Sequence, residues 1–175
     1  MEEIFPIVDE NGNITGSATR AECHSGSKLL HPVVHLHILN HERNTLFLQK
    51  RALNKDIQPG KWDTAVGGHV DLGENIFIAL KREASEELGL TDFTHHHIIS
   101  YVFESEIERE LVNTFFTTVN PDDTDFVIDK NEISEGRFWT FDEINSNLGK
   151  GVFTPNFEQE YQRILPKLKE TDNEQ

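Results

Sequence analysis

Cysteine is nearly absent from this chain of 175 residues: Cys23 stands alone, so no intrachain disulfide can form, and a reducing cytosol is the natural compartment. Long apolar runs are missing too, which excludes a membrane-spanning helix. The start, Met1-Glu2-Glu3-Ile4, lacks the basic and apolar regions of a signal peptide. Basic residues are scarce. Sixteen Lys and Arg face 31 Asp and Glu, for a formal net charge of −15, and a field of that sign repels polyanions and argues against a nucleic acid polymer as partner. An anionic small molecule remains admissible if local cations or metal ions hold it. What is present suits one globular domain: 36% hydrophobic residues, 12 of them Phe, with no internal repeat and no linker. The expected domain spans 1–168, with a polar tail over 169–175.

Local patterns supply the elements. "EIFPIVDENGNITGSATR" reads as a hairpin turning at Asp9 to Asn13, and "VVHLHILNHERNTLFLQKR" as a second. In the latter, Val34, Leu36 and Ile38 alternate with Val33, His35 and His37, giving one apolar face and one mixed face. Pro59-Gly60 marks a turn before a short strand at 63–67, and Gly67–Gly68 is expected to turn again. Ile76, Leu80, Ala84 and Leu88 recur every four residues, so a helix is predicted over 75–88, ended by Gly89. Strands follow at 97–104, 111–119 and 133–139. Thr140 and Glu143 form a capping box, and Thr154-Pro155 opens a last helix with Phe157, Tyr161, Ile164 and Leu165 on its buried face. This order predicts an α/β or α+β domain with a mixed sheet.

The chemistry concentrates at 67–90. Glu83, Glu86 and Glu87 lie three and four residues apart, so they share a helical face and repel one another by a few tenths of about 1 kcal/mol per pair. Hard divalent cations reverse that sign, since clustered carboxylate oxygens bind Mg²⁺ and Mn²⁺. A solvated acidic face is the plain alternative. Gly68, five residues, Glu74, seven residues, then Arg82-Glu83-Ala84-Ser85-Glu86-Glu87-Leu88-Gly89-Leu90 resembles the signature of the Nudix hydrolases at every charged and Gly position. Only Ala84 departs, where the family has a larger aliphatic residue. The resemblance implies an α/β/α sandwich with a mixed sheet and a loop–helix–loop motif. It also implies metal-dependent cleavage of a diphosphate linkage in a small-molecule or nucleotide-type substrate. By resemblance, Glu83 and Glu87 hold Mg²⁺ or Mn²⁺, Glu86 is a ligand or the base, Arg82 orients a carboxylate, and Gly67 brings backbone oxygen to a metal.

Shorter blocks, "TRAECH", "LLHPVVHLHILN", "LFLQKRALNKDIQPGKWDTAVGGHVDLGEN" and "IEREL", are similar to the type I isopentenyl-diphosphate isomerases and their hydrolase relatives within the same superfamily. Their resemblance implies a second metal site of His24, His31, His69, Glu108 and Glu110, a donor set suited to Mn²⁺, Zn²⁺ or Fe²⁺. It also implies that Arg51 and Lys55 grip the diphosphate, and Arg20 adds to that grip. The isomerases carry a Cys just before the Gly-His pair, whereas Gly67 stands here. Without that thiol, allylic proton transfer has no evident agent. Hydrolysis is therefore the expected activity, with isomerisation and a non-catalytic diphosphate-binding module as alternatives. Exposed strand edges favour a homodimer. The run His95-His96-His97 has no spaced partners and is expected to face solvent, and Trp62 and Trp139 to sit in the core.

Overall fold

The computed structural model describes residues 2–55 and 57–170; of the expected polar tail, 171–175 lie outside the described residues. In chain order the elements are β1 (Ile4–Val8), β2 (Ile14–Thr19), α1 (Arg20–Cys23), β3 (Leu30–Asn40), β4 (Thr45–Arg51), β5 (Trp62–Thr64) and β6 (Val66–His69). There follow α2 (Ile76–Leu88), β7 (His96–Glu104), β8 (Arg109–Val119), β9 (Ile133–Thr140), α3 (Phe141–Asn147) and α4 (Pro155–Leu168). Strands β1 and β2 pair as the expected hairpin, its turn held by the Asp9 carboxylate, which accepts the N–H groups of Asn11 and Asn13 at 2.9 Å.

The other seven strands make one mixed sheet centred on β3. Parallel β8 runs along the whole of one edge of β3, from Leu30↔Arg109 to Asn40↔Val119. The opposite edge is divided: β6 pairs antiparallel with Val33 to Leu36, and β4 with Ile38 and Leu39. The expected strand at 63–67 is thus two strands, broken at Ala65, because the chain leaves β4 and crosses to β3. Gly67 and Gly68 lie within β6, opposite His35 and Val34, and not in the expected turn.

Alternation along β3 decides the layers. Val34, Leu36 and Ile38 pack against Ala79, Leu80, Ala84 and Leu88 of α2, each large apolar side chain contributing about 2 kcal/mol by leaving water. On the other side Leu39, Leu46, Leu48, Trp62 and Trp139 meet Ile144 of α3 and Phe157, Tyr161, Ile164 and Leu168 of α4. The result is an α/β/α sandwich. Helix α2 is capped by Asn75 Oδ1, which accepts the Ile78 N–H at 2.9 Å, and is closed by Gly89 at φ 68°. On α4 the buried stripe ends on Leu168 and includes Glu160, while Leu165, expected inside, is half-buried. Helix α1, unforeseen, rests on a capping box of Thr19 and Glu22. No helix among the described residues is long and apolar enough to cross a membrane.

Candidate active site

Helix α2 turns Glu83 and Glu87 inward, towards β6. Glu87 is 8% exposed, and its Oε1 accepts a hydrogen bond from Gln49 Nε2 at 3.1 Å while Oε2 is sealed without a partner. Burial, and then the Glu83 carboxylate beside it, push Glu87 well above the usual carboxylate range. Glu83 is likewise raised, chiefly by burial. The approach of helix to strand explains the glycine. A Cβ on Gly68 would sit 2.2 Å from Glu83 Cδ, so only glycine leaves the carboxylate its place. Glu86, with a side chain 59% exposed, stands at the rim.

Arg82 organises this centre. Its Nε and Nη2 donate to the two oxygens of Glu74 at 2.7 and 2.9 Å, Nη1 to Glu83 at 2.8 Å and Glu86 at 3.3 Å, and Nη2 also to the His69 carbonyl at 3.0 Å. The forked contact with Glu74 fixes the guanidinium, which in turn aims Glu83. An unpartnered carboxylate oxygen inside a pair of raised acids is a configuration that a divalent cation relieves.

A second centre is assembled from four distant elements. His24 caps α1, His31 lies on β3, His69 ends β6, and Glu108 and Glu110 flank the start of β8. Ligand atoms of His24, His31, His69 and Glu108 all lie within 4.8 Å of one another. His24 Nε2 is 3.3 Å from His69 Nε2 and 3.2 Å from Glu108 Oε1, and His31 Nε2 is 3.8 Å from the same oxygen. His31 Nδ1–H donates to the Leu29 carbonyl at 2.9 Å, which leaves Nε2 as the lone-pair nitrogen. That Nε2 and Glu108 Oε1 are both buried without a hydrogen bond of proper geometry. Burial, followed by the charge of Arg20, lowers His69 to about 3, so its imidazole is neutral, the form that ligates. Burial works to raise Glu108, but His24 and His31 outweigh it and hold that carboxyl below its usual range. Glu110, at 3.9 Å from His69, is driven up to about 8 by burial and by Glu108. Phe5 stacks on His69 at 4.5 Å and on His31 at 5.7 Å, fixing both rings. The donor set and its two orphaned atoms fit a divalent transition ion.

Both centres open into one cleft of about 650 Å³. Arg20, Arg51 and Lys55 line it, each already engaged: Arg20 with Glu3 at 2.9 Å, Arg51 with the Ile57 carbonyl at 2.9 Å, Lys55 with Glu132. Ten carboxylates and four basic side chains line the cleft among the described residues, so without added cations it repels an anion. The sequence reading missed Glu160 and Tyr101. Glu160 is fully buried and accepts from His35 Nδ1 at 2.9 Å, Tyr101 Oη at 2.5 Å, Thr114 Oγ1 at 3.2 Å, and His37 Nε2. Burial works to lower His35, but Glu160 prevails and raises it to about 9. A glutamate within the Phe157–Ile164 stripe was the available signal. His95, His96 and His97 lie apart, ringed by Phe77, Phe115 and Phe116.

Comparison with known proteins places these features in a family. The NUDIX domain pattern matches residues 29–160. An uncharacterised Nudix hydrolase of Listeria monocytogenes is 32% identical over 163 residues, covering 90% of each chain. An isopentenyl-diphosphate Delta-isomerase of Streptomyces griseus is 29% identical over 177 residues, covering 95% of this chain and 86% of that one. Among solved structures, DR0079 of Deinococcus radiodurans superposes with a TM-score of 0.78 at 22% identity, covering 92% of this chain and 98% of that one, a likeness of fold.

Proposed function

The chain belongs to the Nudix family and is an enzyme of the Nudix hydrolase type; from that premise we propose that it cleaves a diphosphate linkage in a small-molecule substrate with Mg²⁺ or Mn²⁺. The observation that carries this reading is the pair Glu83 and Glu87, desolvated against Gly68 with one carboxylate oxygen orphaned, at the floor of a cleft edged by Arg51 and Lys55. Glu83 and Glu87 would hold the ions, and Gly67 stands beside them on β6. Bound ions supply neutralisation of the phosphate oxygens and a lowered pKa of water.

The chain's own groups do the rest. Arg82 positions Glu83 and Glu74. Arg20, Arg51 and Lys55 exchange their present partners for diphosphate oxygens. Glu86, exposed at the rim, takes a proton from the attacking water; the new P–O bond forms as the bridging P–O bond breaks, and the leaving phosphate departs with the electron pair. His24, His31, His69, Glu108 and Glu110 would hold a second ion, of Mn²⁺, Zn²⁺ or Fe²⁺ class, at the other side of the cleft.

Turnover of a panel of nucleoside diphosphate sugars, dinucleotides, nucleoside triphosphates and prenyl diphosphates in Mn²⁺ tests the proposal. Glu87→Gln is expected to lose about 10²- to 10⁴-fold in rate; a variant as fast as the native protein would remove α2 from the chemistry. Isomerisation of an allylic diphosphate is the second reading, favoured by the completeness of the imidazole centre. Against it, Gly67 brings no proton-transferring side chain to that position. Deuterium uptake from heavy water into isopentenyl diphosphate would reinstate it.

A further inference from the structure

One wall of the cleft is built from groups that the hydrolysis reading leaves idle. Residues 31, 33, 35 and 37 share a face of β3, so the imidazole centre at His31 is followed by Val33, then His35 at the cleft, then buried His37. His35 reaches Glu160 through Nδ1 and makes no other hydrogen bond among the described residues, leaving Nε2 as the edge that looks into the cleft. Glu160 is a fully buried carboxylate, costly to place there, and four donors from β3, β7, β8 converge on it. A core need not contain such a group. Its effect here is to fix the plane of His35.

Two further polar side chains, Asn156 and Asp63, line the same cleft. Tyr101 Oη lies 2.5 Å from Glu160 and 3.0 Å from Asn156 Oδ1, yet it has one proton. The shorter contact to the carboxylate claims it, and the Asn156 Nδ2 amide donates no hydrogen bond among the described residues. Asp63 Oδ1 accepts from the Thr64 N–H at 2.7 Å and from Thr154 Oγ1 at 3.1 Å, while Oδ2 has, among the described residues, only Arg51 at 3.7 Å. Thr154 is also the N-cap of α4, so Asp63 is hydrogen-bonded to the start of the helix that carries Asn156 and Glu160.

We propose that His35, Asp63 and Asn156 form a subsite for a hydroxyl-bearing group of the sugar or polyol class attached to the diphosphate, with Glu160 as the positioning residue for His35. The inference rests on the diphosphate reading of the cleft. The chemistry selects this class because a hydroxyl both donates and accepts, and the wall offers an imidazole N–H beside a carboxylate oxygen and an amide. A hydrocarbon chain would desolvate the remaining polar atoms of all three without pairing them. A further phosphate would meet the charge of Asp63 at close range.

The test compares the Mn²⁺-loaded full chain on three diphosphates that differ only in the attached group: hexosyl, methyl and methylbutenyl. Binding is followed by calorimetry and cleavage by phosphate release. The hexosyl compound should exceed the methyl compound by about tenfold or more, the worth of one or two well-made hydrogen bonds. Asn156→Ala and His35→Gln should bring that ratio close to one, through KM more than kcat, and Glu160→Gln should lower it in the same way. Asn156 is half-buried at the first turn of α4, so its variant keeps the test decisive if a change at His35 or Glu160 impairs folding. A preference for methylbutenyl diphosphate, or a ratio untouched by Asn156→Ala, overturns the subsite. If nothing is cleaved but the hexosyl compound still binds about tenfold tighter than the methyl one, the subsite stands and the hydrolase reading falls. Equal binding without cleavage sinks both.

Discussion

The acidic centre and the imidazole centre share a cleft but are built in opposite ways. Glu83, Glu86 and Glu87 come from a single helix, so their spacing is set by α2 alone and would exist in any fold that kept the helix. His24, His31, His69 and Glu108 come from α1, β3, β6 and the turn before β8, and they meet only because β3 takes β6 on one edge and β8 on the other. The first centre depends on local geometry, the second on global register. In the acidic centre Arg82 supplies a resident cation, which partly neutralises the carboxylates before any ion arrives. In the imidazole centre no Lys or Arg bonds these side chains among the described residues, and the buried His31 Nε2 and Glu108 Oε1, 3.8 Å apart, lack a hydrogen bond of proper geometry.

The sharpest way to break the comparison is to disturb the acidic centre without touching register. Gly68→Ala places a methyl group 2.2 Å from Glu83 Cδ and asks nothing unusual of the backbone, since Gly68 is not among the glycines with positive φ. The flexible carboxylate gives way while the strand stays. Turnover is expected to fall about 10²-fold, as it does for a displacement of about 1 Å in a reacting group. Stability should change by no more than about 1 kcal/mol in denaturant titration. Loss of both together would mean that the helix–strand approach, and not the carboxylate, is what the glycine protects.

The imidazole centre should answer differently. His31 is fully buried, and its removal takes one of the proposed ligands from beside Glu108. Added Mn²⁺ or Zn²⁺ is expected to raise the melting temperature of the native chain, by an amount equivalent to about 2.7 kcal/mol at a hundredfold excess over Kd. His31→Ala should abolish the Zn²⁺ increment and reduce the Mn²⁺ one, while the Mg²⁺ response of α2 persists. Elemental analysis of the two proteins gives an independent reading, and equal transition-metal content would dissolve the second centre.

The difference in construction also explains what the sequence disclosed. The helix expected at 75–88 and found at 76–88, its stop at Gly89, the carboxylate face and the alternation of β3 are local, and a few neighbouring residues suffice to read them. That His24, His31 and His69 converge was available only through family resemblance, since no spacing rule joins residues 45 apart. Glu160 escaped because its partners, His35 and His37, lie 125 and 123 residues away, beyond the reach of any local spacing rule. The turn expected at Gly67–Gly68 failed for a related reason. Paired glycines signal a bend unless a helix presses on the strand, and here Glu83 does.

Between the centres, His35 gives a smaller and pH-dependent signal. Glu160 raises it from 6.5 to about 9, so the folded state retains a proton that the unfolded chain has released. The stabilisation is complete below pH 6.5 and is lost as pH rises through about 9. Stability should therefore decline across that window by up to about 1.4 kcal/mol per pH unit. His35→Gln should flatten the decline in chemical denaturation followed from pH 6 to 10. An unaltered slope would assign the proton elsewhere in the buried network.

The weakest expected response comes from the third concentration of histidine. His96 and His97 are exposed on β7, His96 stacked on Phe116 at 5.0 Å and His97 bonded to Ser100 Oγ at 2.9 Å, and neither belongs to the group that could hold an ion. Three consecutive histidines on a strand point to alternate sides, so at most two can address one ion, and no carboxylate joins them. The paired change of His96→Ala with His97→Ala should leave metal content and turnover as they are and shift stability by less than about 0.5 kcal/mol. A drop in bound metal would show that a chelating run can recruit an ion without the register that brings His24, His31 and His69 together. Histidine density would then count for more than the strand order that separates the two centres.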